Sequence, residues 1–153
     1  MTLHLGYRSG PQPVLPFSHW LGDVGVRRPT LVMIEDDLAI AQMYRMQLVM
    51  DGYQVLLATD GAAGLKLIDE SRPDLVLLDI RLPRMQGLDV LRSVQASDET
   101  ATIPVLILSN YGEPGMVHEG LRLGARDYLI KSQTTPVQLS MRVRELVPPQ
   151  LAD

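Results

Sequence analysis

The 153-residue chain has no cysteine, one tryptophan, one phenylalanine and only two lysines. Lacking cysteine, it can build no disulfide scaffold, no thiolate metal site and no cysteine nucleophile. It also lacks a basic excess. Its formal net charge is −4, so it offers no broad electrostatic footprint for non-specific nucleic-acid binding. Long apolar runs are missing too: 75–78 and 105–108 are strand-length, against the roughly 20 residues a membrane-spanning helix requires. Residues 1–28 do not read as a signal peptide. They have no basic start followed by an unbroken apolar block, and Pro11, Pro13 and Pro16 interrupt them. These absences predict a cytoplasmic protein with no membrane partner.

What is present is one domain's worth of core. Hydrophobic residues make up 46% of the chain, too many for a wholly disordered one. Composition changes near residue 29. Residues 1–28 hold Phe17, Trp20, three prolines and four glycines without helical or strand periodicity. They predict a flexible extension. A sharper reading has Phe17, Trp20 and Leu21 docking on a groove. The charges of the extension (Arg8, Asp23, Arg27, Arg28) sum to +2, which leaves −6 on the other 125 residues. The expected organisation is an extension over 1–28, a folded domain over 29–148 and a short tail over 149–153.

From Thr30 onward, strand and helix signals alternate. Strands are predicted at 30–34, 54–58, 74–78, 105–108 and 128–130. Helices are predicted at 38–50, 61–70, 88–95, 116–123 and from Pro136 to the Pro148-Pro149 pair. Asp37 is placed to cap the first helix, and Thr135-Pro136 opens the last with an N-cap and a proline at the first helical position. Alternation of this kind implies parallel strands with right-handed crossovers. The nearly all-apolar strands imply a sheet covered on both faces, hence an α/β three-layer sandwich. Ligands of such sheets bind beyond the carboxyl ends of the strands.

The strand ends carry Glu35-Asp36-Asp37, then Asp79, then Ser109-Asn110, then Lys131-Ser132. Two carboxylates about 4 Å apart repel by about 4 kcal/mol at an effective dielectric of 20, so three in one pocket call for a cation. All-oxygen ligation suits a hard divalent ion such as Mg²⁺. Taken alone, Glu35-Asp36-Asp37 reads equally well as a solvated capping turn; Asp79 at the end of a parallel strand favours the metal. Lys131 is placed to pair with Asp79 at rest and with a phosphoryl group later. Ser109 and Tyr128 are nonspecific by themselves, a turn hydroxyl and a strand aromatic.

Together these segments resemble the receiver domain of bacterial two-component response regulators, of the single-domain, stand-alone type. Leu31-Val-Met-Ile-Glu-Asp-Asp37 is similar to its acidic-pair motif. Pro73-Asp-Leu-Val-Leu-Leu-Asp79-Ile-Arg-Leu-Pro83-Arg-Met-Gln-Gly87 is similar to its phosphoacceptor strand and loop. Pro104-Val-Leu-Ile-Leu-Ser109 and Gly124-Ala-Arg-Asp-Tyr128-Leu-Ile-Lys131 are similar to its switch-hydroxyl and aromatic-lysine strands. The resemblance covers residues 29–147. It implies a doubly wound, flavodoxin-like five-stranded sheet of order 2-1-3-4-5 with five helices.

By that resemblance, Asp79 accepts a phosphoryl group from a sensor histidine kinase or phosphotransfer protein. Glu35, Asp36, Asp79 and the backbone carbonyl of Arg81 hold Mg²⁺ or Mn²⁺. Lys131 neutralises phosphoryl charge, Ser109 bonds the new phosphoryl oxygen, and Tyr128 rotates inward behind it. The chain is then a signalling switch and not an enzyme beyond its own phosphorylation and dephosphorylation. Its readout face is residues 112–147. Only six residues follow Val147, so the expectation is no direct DNA binding and an output through a partner protein or a homodimer on that face.

Three positions depart from the family pattern. Ser132 stands where proline is usual, which makes a cis peptide less expected. Asn110 stands where a small residue is common and is expected to crowd the site. Arg81 is expected, with Tyr111, to tune phosphoryl lifetime. The second reading is a phosphorylation-independent, receiver-like adaptor. Topoisomerase-primase and haloacid-dehalogenase chemistry require a D-x-D that Asp79-Ile-Arg81 lacks. A flavodoxin-type cofactor site requires a phosphate loop where three acids stand, and there is no Gly-rich P-loop.

Overall fold

β-Branched and aliphatic runs bounded by Asp, Gly and Pro become the strands of one sheet. The structure is a computed structural model and describes residues 27–150. The strands are β1 (Thr30–Ile34), β2 (Gln54–Ala58), β3 (Leu75–Leu78), β4 (Val105–Ser109) and β5 (Asp127–Ile130). The helices are α1 (Leu38–Met50), α2 (Gly61–Ser71), α3 (Gly87–Ala96), α4 (Pro114–Arg122) and α5 (Pro136–Leu146). A 3₁₀ turn, Lys131–Gln133, follows β5. The sheet is wholly parallel, in the order β2-β1-β3-β4-β5. The expected fold class, sheet order and five helices are therefore all present.

Period-two alternation along the buried strands divides the core in two. Val32, Ile34, Val76, Leu78, Val105 and Ile107 face one side and pack with Ile68, Val90, Leu91 and Val94 from α2 and α3. Leu31, Met33, Leu75, Leu77, Leu106 and Leu108 face the other and pack with Ala41, Tyr44, Leu48, Leu139 and Val143 from α1 and α5. Two buried phenols cross-brace this second layer. Tyr44 donates to the Thr134 carbonyl at 2.7 Å, and Tyr53 donates to the Val147 carbonyl at 2.6 Å.

Helix ends are fixed by local chemistry. The Asp37 carboxylate accepts from Ala39 N–H (3.0 Å) and Ile40 N–H (3.2 Å), as expected of an N-cap. Thr135 and Gln138 close a reciprocal capping box on α5. No cis peptide occurs among the described residues, Ser132 included. Residues 1–26, which hold nearly all of the expected flexible extension and the expected docking cluster of Phe17, Trp20 and Leu21, lie outside those described.

Candidate functional site

Register brings the acidic groups together. Ile34 lies opposite Leu78 across the β1–β3 pairing, so Glu35 and Asp79 are each the next residue along. Asp79 N–H donates to the Ile34 carbonyl at 3.0 Å, which continues the ladder one residue past the strands. One carboxylate oxygen from each of Glu35, Asp36 and Asp79 lies within 4.8 Å of the other two. Asp36 is exposed, whereas Glu35 and Asp79 are buried.

Lys131 enters from the opposite side. Ser109 pairs with Ile130 across β4–β5, and Lys131 follows at once. Its ammonium lies 2.5 Å from Glu35 Oε2 and 2.9 Å from Asp79 Oδ2, with all three side chains 7% exposed or less. The remaining oxygens take backbone donors. Asp37 N–H reaches Glu35 Oε1 at 3.1 Å, and Arg81 N–H reaches Asp79 Oδ1 at 3.3 Å. Burial pushes the Glu35 carboxyl above its usual range. The Asp79 charge adds to this, and the Lys131 ammonium only partly opposes it. Burial alone would lower Lys131, but its hydrogen bonds and attraction to both carboxylates outweigh that and hold it above the ordinary lysine value. Lys131 is thus a fixed cation at neutral pH.

The donor set fits a hard divalent ion. Three carboxylates converge at the rim of the sheet, and Asp36 keeps the site open to solvent. One ammonium does not balance three carboxylates, so a negative excess of two is left for a cation.

Two glycines make the site possible. A Cβ on Gly87 would lie 2.1 Å from the Asp79 carbonyl oxygen and 2.7 Å from Ile80 Cα, so α3 can start this close behind Asp79 only at glycine. A Cβ on Gly120 would lie 2.7 Å from Ile107 Cδ1 and 3.2 Å from the Tyr128 ring. The space it leaves is filled by Tyr128, which is 8% exposed. The ring expected to move inward is already inside. Its hydroxyl donates to the Tyr111 carbonyl, and burial raises its phenol above the usual range. Ser109 is fully buried, and its Oγ accepts from Tyr111 N–H at 3.3 Å. Asn110 is exposed.

The structure therefore gathers Glu35, Asp36, Asp79 and Lys131 into one charged cluster, and Ser109 and Tyr128 into a hydrogen-bonded group around Tyr111. Two contacts escaped sequence reasoning, although Arg81 and Tyr111 were themselves expected to act together. Tyr44, a buried core residue of α1, also reaches the Lys131 carbonyl at 3.4 Å and braces the turn that carries the ammonium. The Arg81 guanidinium lies 3.8 Å from the centroid of the Tyr111 ring, a contact between two loops that spacing could not show.

Fold and site together define a doubly wound, parallel five-stranded α/β sandwich with an acidic, lysine-bearing pocket at the carboxyl edge of its sheet. Residues 31–144 match the response regulator receiver domain family. The chain belongs to that family, the receiver domains of two-component systems. It is 38% identical over 122 residues to the transcriptional regulatory protein AfsQ1 of Streptomyces coelicolor, covering 78% of this chain and 51% of that one. It is also 38% identical over 119 residues to the DNA-binding dual master transcriptional regulator RpaA of Synechocystis, covering 78% and 49%. Among solved structures, the chemotaxis response regulator CheY4 of Vibrio cholerae superposes with TM-score 0.73 at 26% identity, covering 79% of this chain and all of that one. The receiver domain of Francisella response regulator 1452 gives 0.72 at 29% identity, covering 78% and 96%.

These relatives correct one expectation. The chain spans about half the length of the curated relatives it matches, and those relatives are transcriptional regulators, one of them named as DNA-binding. The expectation of no direct DNA binding, with output instead through a partner protein or a homodimer on 112–147, is overturned. It rested on the six residues after Val147, and the matched relatives carry as much chain again outside the receiver. Among the described residues no helix is long and apolar enough to cross a membrane.

Proposed function

We propose that the chain is a phosphorylation-dependent switch in which Asp79 takes a phosphoryl group from a phosphohistidine on a sensor kinase or phosphotransfer protein. The observation that carries this reading is the buried Asp79 carboxylate held 2.9 Å from the Lys131 ammonium beside a convergent acidic pair. In the transfer an Asp79 oxygen forms the new O–P bond as the P–N bond of the donor breaks, and the imidazole leaves with the electron pair. Lys131, already fixed and charged, faces the phosphoryl oxygens and neutralises charge developing on them. Glu35, Asp36, Asp79 and the Arg81 carbonyl would hold Mg²⁺ or Mn²⁺, which supplies further charge neutralisation at those oxygens.

The added phosphate brings roughly −1.5 to −2 charge at neutral pH. Ser109, one residue beyond β4's apolar run, donates its hydroxyl to a phosphoryl oxygen and releases Tyr111 N–H. That shifts the 110–113 loop and, through Tyr128, the face formed by α4, β5 and α5. The names of the relatives support transcriptional control as the output of the switch. The test is intact-mass measurement after incubation with a small acyl-phosphate donor and Mg²⁺. Wild type should gain one phosphoryl group and Asp79→Asn none. A wild type that gains nothing would favour the phosphorylation-independent adaptor.

A further inference from the structure

Tyr111 is held at three points. Its N–H donates to Ser109 Oγ, its carbonyl accepts from the Tyr128 hydroxyl, and its ring lies under the Arg81 guanidinium at 3.8 Å. Ser109 and Tyr128 belong to the β4 and β5 side of the site. Arg81 belongs to the loop after β3, two residues past Asp79, and its N–H is bonded to the Asp79 carboxylate. Of the three contacts on Tyr111, the stack is the one that ties it to the acceptor's own loop.

We propose that the Arg81–Tyr111 stack is a latch that holds Tyr128 in its inward position before any phosphoryl group arrives. A guanidinium over a phenol ring is attracted by the ring's electron-rich face. Fixing the Tyr111 ring fixes the Tyr111 backbone, and the Tyr111 carbonyl is the acceptor that keeps the Tyr128 hydroxyl inside. Tyr128 has room to be there because Gly120 contributes no Cβ. Arg81 and Tyr111 are thus positioning residues of the switch, and they bias it toward the inward state at rest. The inference rests on Tyr128 being the switch residue proposed above.

The test uses the unphosphorylated full chain labelled with 3-fluorotyrosine. The chain has five tyrosines, and single Tyr→Phe variants assign their fluorine resonances. The H₂O/D₂O solvent-isotope shift of each resonance reports its exposure. In wild type the Tyr128 resonance should be as protected as those of Tyr44 and Tyr53. Arg81→Ala and Arg81→Gln should raise the outward population of Tyr128 by about two- to fivefold, the range for an exposed cation–π contact. Tyr111→Leu should do the same, and Tyr111→Phe, which keeps the ring, should not. The Arg81→Gln/Tyr111→Leu pair should go no further than either single change. Tyr44 and Tyr53 should stay protected throughout, which shows that the fold is intact. An unchanged Tyr128 resonance in both Arg81 variants overturns the latch. So does full additivity in the double variant. Neither result touches the phosphorylation reading, which fails separately if wild type takes up no phosphoryl group.

Discussion

Lys131 is the residue on which the balance of the site turns. It is the only side-chain cation within bonding distance of the buried Glu35 and Asp79 carboxylates among the described contacts. Removing one partner of a buried charged cluster leaves the others uncompensated, at a typical cost of about 3–5 kcal/mol. Lys131→Ala should lose stability on that scale in metal-free buffer and regain part of it with Mg²⁺, since a cation at the acids relieves the same repulsion. Urea unfolding with and without Mg²⁺ checks this; equal midpoints for wild type and Lys131→Ala without metal would contradict it. Gly87 offers a second test. A methyl group there meets backbone at 2.1 Å, with no flexible side chain to give way. Gly87→Ala should destabilise by at least about 2 kcal/mol, visible as a lower urea midpoint. A midpoint equal to wild type would mean that α3 can back away from Asp79.

Elements are joined here by a few polar contacts at their ends. Asp51, at the end of α1, accepts from Ser140 Oγ on α5 and from Gln47 Nε2 at 3.0 Å. The Ser140 bond, with Gln47 second, holds the Asp51 carboxyl below its ordinary value. A depressed folded-state pKa contributes stability that is present above the unfolded value, near pH 3.9, and is lost as pH falls through the folded value. Asp51→Asn should therefore flatten the acid limb of the stability profile below about pH 4 and leave its slope at neutral pH unchanged. Urea midpoints from pH 5 downward measure it, and parallel acid limbs would contradict it.

At this scale most of the fold was legible. Buried parallel strands announce themselves as short aliphatic runs, and helix starts as the Asp37 and Thr135 caps. The misses have physical reasons. α4 starts at Pro114 rather than 116, because Pro114-Gly115 reads as a breaker while proline at the first helical turn costs nothing. β5 begins one residue early at Asp127, whose side chain pairs with Arg142 of α5 at 2.6 Å and so sits at a sheet edge despite its charge. Ser109 ends β4 as a fully buried hydroxyl, which a scan for apolar runs cannot include.

For the whole molecule, legibility divides between site and output. The charged cluster could be read in advance because parallel topology places every strand end on one edge. Glu35, Asp36, Asp79 and Lys131 needed only their positions after apolar runs. The Arg81–Tyr111 stack could not, since it depends on how two loops fold toward each other. Output was misread because it was argued from chain length, whereas the relatives place a receiver of this kind within transcriptional regulators about twice the matched length. Asp79, and no other acid of the cluster, is the proposed carrier of the phosphoryl group. Borohydride reduction of protein treated with acyl phosphate and Mg²⁺, followed by peptide sequencing, tests it most directly. Reductive loss of aspartate at position 79 alone is the predicted result. Reduction at Asp36 or Asp37, or none at any acid, would contradict it.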